Sequence, residues 1–173
     1  MLRSLVGSEM CIRDRNYISK NAGESIRQML MMMLALGSIT KSEVCEFRCT
    51  MEKSVCSMLI EKGIPFECQV LLEDNLARME QVDGSELVSV DKEFHELLIR
   101  ATENELFSMI MEAVMIVYRE WIDLVLRRVN TKEKANLLNY HKQIYNSVLE
   151  RDEAAMKAAV DGHYHLISQM LAL

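Results

Sequence analysis

The sequence holds little that lets a chain reverse direction. One proline and six glycines occur in 173 residues, against averages near 5% and 7%. So few turn formers exclude a sandwich or barrel of many short strands and favour long helices. Positive charge is also short, with 20 Lys and Arg against 26 Asp and Glu for a net −6. No basic stripe is present to grip a phosphate backbone, which argues against DNA binding by these residues alone. The longest apolar run, Gln28 to Thr40, is thirteen residues, where a membrane span needs about 18 or more. A buried helix is expected there, and no membrane partner. The N-terminus lacks the ordered basic, apolar and small-residue pattern of a secretory signal. Five cysteines, an odd number without a disulfide-like framework, suit a reducing, cytoplasmic setting. Cys45 and Cys49, four apart, could share a helix face and a metal; the plainer reading is small buried thiols.

Half the residues are hydrophobic, enough for a core and too many for a disordered chain. Residues 1–15, MLRSLVGSEMCIRDR, lack helical periodicity and lead abruptly into NYISKN. They read as translated sequencing-adaptor text and are set aside. The organisation expected is residues 16–39 as a linker remnant and first helix, then one domain over 40–173.

Seven helical stretches can be marked. Asn21 is positioned to cap the first, which runs to about Leu36 with Gly37 at its end. Thr40 and Glu43 form a capping-box pattern. The helix they open carries Val44, Phe47, Met51, Val55, Met58 and Leu59 at helical spacing and stops near Gly63. Pro65 opens a third, ending at Asp83-Gly84. The fourth covers about Glu86 to Thr102, and Asn104 caps a fifth reaching about Val129. Thr131 starts a sixth, and Arg151-Asp152 separates it from a seventh. With no strand alternation, the fold expected is an all-α antiparallel bundle of six to seven helices with short connections.

All four histidines, His95, His141, His163 and His165, lie in the second half. Asp91 and His95 share a helix face. His141 precedes the Arg151-Asp152 turn by about ten residues and His163 follows it by about eleven, so at about 1.5 Å per residue both sit roughly 16 Å from it. Counting from Asn104 brings Asp91 and His141 to nearly the same level. Three imidazoles and a carboxylate in one layer suit a divalent transition metal: zinc, nickel, iron or manganese. Taken singly, each histidine is more ordinary as a surface or satisfied core residue. His165, about 200° round the helix from His163, is read as a solvated neighbour. Arg48 lies on or beside the apolar stripe of its helix and needs an anion, either a neighbouring Asp or Glu or a bound carboxylate.

These residues resemble the FCD ligand-sensing domain of GntR-family transcription regulators, in the FadR-like branch. The family pattern Asp-x-x-Phe-His, with an Asn nine residues on, is met by Asp91, Phe94, His95 and Asn104. Its later His-x-x-Ile, turn Asp and second His twenty-two residues on are met by His141, Ile144, Asp152 and His163. Its Arg-x-x-x-Glu is met by Arg48 and Glu52. The resemblance covers about Thr40 to the C-terminus. It implies that Asp91, His95, His141 and His163 ligate a metal, zinc foremost, and that a small carboxylate effector binds beside it. Arg48 and Asn104 are the effector-contact candidates, with Asn104 better suited to a helix cap. It further implies a cytoplasmic homodimer, the methionine-rich first helix offering exposed positions. DNA would be contacted only through an N-terminal winged helix-turn-helix for which this sequence has no room. NYISKNAGESI resembles the last wing strand and linker that follow such a domain. The competing readings are an all-α metalloenzyme activating water at a three-His, one-Asp centre, with Glu93 or Glu96 as its acid or base, and a scaffold bundle with incidental histidines.

Overall fold

Thr40 shows how local chemistry sets the helix boundaries. Its hydroxyl accepts from the Glu43 N–H at 3.2 Å and the Glu43 carboxylate returns to the Thr40 N–H at 2.7 Å, closing the expected capping box and starting α2, Lys41–Lys62. A first helix, α1, precedes it over residues 23–35. The structure is a computed structural model and describes residues 23–127 and 129–171. The Asn21 cap, Cys11 and the segment set aside as adaptor text lie outside the described residues.

Five more helices follow: α3 (Phe66–Gln81), α4 (Gly84–Ala101), α5 (Glu105–Leu126), α6 (Thr131–Glu150) and α7 (Glu153–Met170). Among the described residues there is no strand, and the all-α bundle inferred from the sequence is the fold. Two boundaries differ from expectation. Helix α4 starts at Gly84 rather than near Glu86, because Asp83 takes the extended N-cap conformation and Gly84 absorbs the turn at φ +60°. Helix α5 stops at Leu126, short of Val129, since Asn130 must be extended to cap α6. Helix α6 starts at Thr131 as expected, and Asn130 caps it in a second capping box with Glu133.

Consecutive helices pack as antiparallel hairpins, α3 on α4, α4 on α5 and α6 on α7. Helix α2 threads between them and touches α4, α5, α6 and α7. Its buried face carries Val55, Cys56 and Leu59 but also Arg48 and Glu52. The core continues through Leu72, Phe94, Leu98, Ile144, Met156 and Val160, all essentially inaccessible. Polar side chains on α2, α4, α6 and α7 therefore meet inside an apolar shell.

Candidate metal centre

His95 on α4, His141 on α6 and His163 on α7 are all buried, at most 3% exposed. Their rings stand 4.7–5.2 Å apart between centroids, and one ligand nitrogen from each lies within 4.8 Å of the others. Two boundaries bring them together. Arg151 adopts a left-handed conformation at the end of α6 (φ 58°) and Asp152 caps α7 through the Ala155 N–H. That tight turn holds His141 and His163 at one height. Phe94 packs its ring 4.6 Å from that of His141, closing the apolar wall.

Asp91 sits at the margin of this group. Its Oδ1 lies 3.4 Å from His141 Nε2, but it falls outside the set of atoms that mutually converge. His141 Nδ1, on the other side of the ring, meets the Met79 sulfur at 3.1 Å. Ligand nitrogens around a tetrahedral zinc stand roughly 3.3 Å apart, from Zn–N bonds of about 2.0–2.1 Å. The three ligand nitrogens, within 4.8 Å of one another, would draw closer on holding an ion. His141 Nε2 and His163 Nδ1 are buried without a hydrogen-bond partner, so nitrogen lone pairs are available in a dry core. The donor set fits a borderline-soft divalent ion, and the trio can hold one.

Two features had escaped the sequence reading. Glu52 enters the site from α2, with its Oε2 2.8 Å from His95 Nδ1 and accepting from the Tyr164 hydroxyl at 2.7 Å. The contact with His95 is short, but the N–H axis is not aligned for a hydrogen bond, so it acts mainly as an ion pair. Burial alone would raise the Glu52 carboxyl, yet the adjacent His95, with help from His163 and Tyr164, holds it at about 2. Burial likewise pulls His95 down, and Glu52 more than reverses that. For His141 and His163, burial, then the neighbouring imidazoles, push both well below the usual histidine value. Asp91 is raised, as burial outweighs the opposing pull of His95 and Arg48.

The second missed feature is an aromatic platform. The Arg48 guanidinium lies 4.2 Å over the Tyr118 ring and 5.7 Å from that of Tyr164. Arg48 is 6% exposed and its Nε has no hydrogen-bond partner. Among the described residues no carboxylate lies within ion-pairing distance of it, so of its two candidate anions the protein one is not supplied. The spacing of Arg48 and Glu52, one helical turn apart, was the available signal; what each would meet was not.

The model of the FCD domain family matches residues 43–166, a span that contains every motif residue from Arg48 to His163. The chain belongs to the FCD domain family. The likeness drawn from the motifs, to the FCD domain of GntR-type regulators, is upheld. An uncharacterized HTH-type transcriptional regulator of Bacillus subtilis (strain 168), YcbG, is 25% identical over 145 residues. The alignment covers 83% of this chain and 57% of the relative, so the FCD chain spans rather more than half of that protein. No solved structure gives a significant match.

Other expected residues are placed more simply. In this FCD domain Asn104 caps α5, its side-chain oxygen accepting from the Leu106 and Phe107 N–H groups at 3.1 and 3.3 Å. His165 is exposed and pairs with Gln169. Cys45 contacts Tyr118 and Ser168, whereas Cys49 faces Asp161; the two do not form a shared metal site among the described residues. Glu93 is tied to Asn75 and Arg78, and Glu96 to Lys92. Both line an outer groove of about 590 Å³ between α3, α4 and α5 that none of the three buried histidines enters. Among the described residues no helix is long and apolar enough to cross a membrane.

Proposed function

We propose that this chain is the effector-sensing and dimerisation domain of a cytoplasmic GntR-type transcription regulator. It binds a small organic acid at a divalent metal, zinc foremost, held by Asp91, His95, His141 and His163. One juxtaposition carries the reading: three buried imidazoles converge beside a buried arginine that has no carboxylate of its own. When bound, the metal supplies a Lewis-acidic position for one carboxylate oxygen. Arg48, held flat by Tyr118, supplies a second cation, and its planar fork suits a carboxylate. Asn104 serves as the anchor of α5.

Regulation follows from where these groups sit. Arg48 is on α2, and the histidines are on α4, α6 and α7. An acid engaging both favours one placement of α2 against the other three helices, and a ligand shifts an equilibrium only through such differential contacts. The readout is the spacing of two winged helices in a dimer, carried N-terminal to the FCD domain. DNA would be contacted through those domains, which the negative charge of this region agrees with.

The metalloenzyme reading needs a free acid or base near the metal. Glu93 and Glu96 are committed to Asn75, Arg78 and Lys92, which favours the sensor. The deciding experiment measures metal content in the full chain purified without chelator or affinity-metal resin, with His141→Ala and His165→Ala alongside. About one ion per chain is expected in the parent and the His165 variant and little in the His141 variant. Equal losses in the two variants would remove the assignment. With metal established, small carboxylates should bind stoichiometrically and be recovered unchanged; consumption of one would transfer the argument to the enzyme.

A further inference from the structure

We propose that Glu52 is the positioning carboxylate of this centre, holding His95 through Nδ1 and so selecting Nε2 as the nitrogen a metal meets. The inference rests on the metal reading above and extends it to a residue outside the ligand set. Glu52 is 4% exposed. Its Oε2 is met from two sides, by His95 Nδ1 of α4 at 2.8 Å and by the Tyr164 hydroxyl of α7 at 2.7 Å. One oxygen on α2 thus ties three helices together at the level of the histidines.

The chemistry requires such a group. An imidazole that gives one nitrogen to a metal keeps an N–H on the other, and in a dry core that N–H must find an acceptor. Behind His141 stands only the Met79 thioether, a weak acceptor. His95 alone has a carboxylate at its back among the described residues. Glu52 is not one of the mutually converging ligand atoms, which places it behind the ring rather than on the ion. A ring rotation that turns the His95 N–H toward Glu52 Oε2, already 2.8 Å away, would complete the contact. Glu52 also follows Arg48 by one turn of α2, so a shift of this helix on acid binding acts directly on His95.

The test uses the full chain, zinc alone as the probe, and competition with a chromophoric chelator. Glu52→Ala is expected to weaken zinc binding by about 10- to 100-fold. Glu52→Gln, whose amide oxygen still accepts from Nδ1–H, should recover part of that loss, and Tyr164→Phe should lose less than Glu52→Ala. Urea unfolding of each zinc-free variant separates a folding defect from a binding one. If Glu52→Ala does not fold, the isosteric Gln variant decides. Nitrogen-15 spectra of zinc-loaded chains add a readout that packing alone would not move: a protected His95 Nδ1–H in the parent, lost or exchanging freely without the carboxylate. Zinc affinity and His95 spectra equal to the parent in the Gln and Ala variants would overturn the proposal and leave the metal centre standing. A parent chain that takes up no zinc would instead overturn the metal reading, and this inference with it.

Discussion

A guanidinium taken out of water without an ion pair costs several kcal/mol. Arg48 is so placed, and stacking on Tyr118 returns only about 2 kcal/mol. It stays charged nonetheless, burial being more than offset by Tyr164, Tyr118, Glu52 and Asp91 around it. The balance makes it a poor stabiliser, which is how a binding residue behaves. Arg48→Met should therefore leave metal-free stability unchanged or raise it by about 1–2 kcal/mol in urea unfolding. Carboxylate binding should fall about tenfold or more with the loss of charge-assisted hydrogen bonds. A large loss of stability would make Arg48 structural instead. The imidazoles give a pH signature. His141 and His163 are depressed by burial and then by their neighbours, so below about pH 6.5 the unfolded chain takes up more protons than the folded one. Each therefore loses its stabilising contribution as pH falls. His95 is raised, so its contribution is complete below about 6.5 and is lost as pH rises through the raised value. In that window the His95 contribution stays constant, so metal-free stability should fall between about pH 6.5 and 5 as the other two lose theirs. Urea titrations in chelator at stepped pH check this; a flat or rising curve would contradict neutral burial of the pair. The histidines were legible in the sequence because residue counts convert to height along a helix. Glu52 and Met79 were not, because their roles depend on which helix lies opposite, and no local spacing encodes that.

Helix boundaries were legible wherever a cap has a side-chain signature, as at Thr40, Asn104 and Asp152. They slipped by two residues where Gly84 could be read as either turn or first helical residue. Less visible was the contact that sets the spacing of α6 and α7. Gly162 precedes His163 and Tyr140 precedes His141, and a methyl group on Gly162 would run into the Tyr140 ring. Gly162 thus leaves room for the Tyr140 ring beside the histidines. Gly162→Ala gains about 1 kcal/mol of helix propensity and loses about 1–3 kcal/mol to overpacking. The obstructing atoms are the far end of one side chain, so the lower figure applies and stability should change by less than about 1 kcal/mol. The shift passes instead into the separation of His141 and His163, and zinc affinity should fall about tenfold. Adding Tyr140→Leu should restore it. Unchanged zinc affinity in Gly162→Ala would show that the histidine spacing is held elsewhere.

At the scale of the whole molecule, the bundle class followed from scarce turn formers and helical periodicity, but packing order did not, since nothing local says that α2 runs between the hairpins. Its neighbour α1 is the element whose surroundings are least complete. Ile26 and Leu30 face α2 and α5, lining with Val44, Phe47, Ile110 and Val114 an apolar groove of about 300 Å³. Met29, Met32 and Leu36, spaced three and four apart, are 50%, 59% and 73% exposed on another side. A helix apolar on more than one face is normally enclosed, and a contiguous exposed apolar strip marks an interaction surface. The dimer proposed for the regulator provides the cover: a two-fold axis brings the same strip from each copy into contact. Sedimentation of the full chain at micromolar concentration should then give a dimer. Met32→Glu combined with Leu36→Glu should give a monomer, because like charges would be buried across the axis. Metal content should be unaffected, since neither position approaches the histidines along the chain or lines their wall. A parent that stays monomeric over that range would assign the strip to a different partner. A charged variant that loses its metal would show that α1 supports the centre as well as the interface.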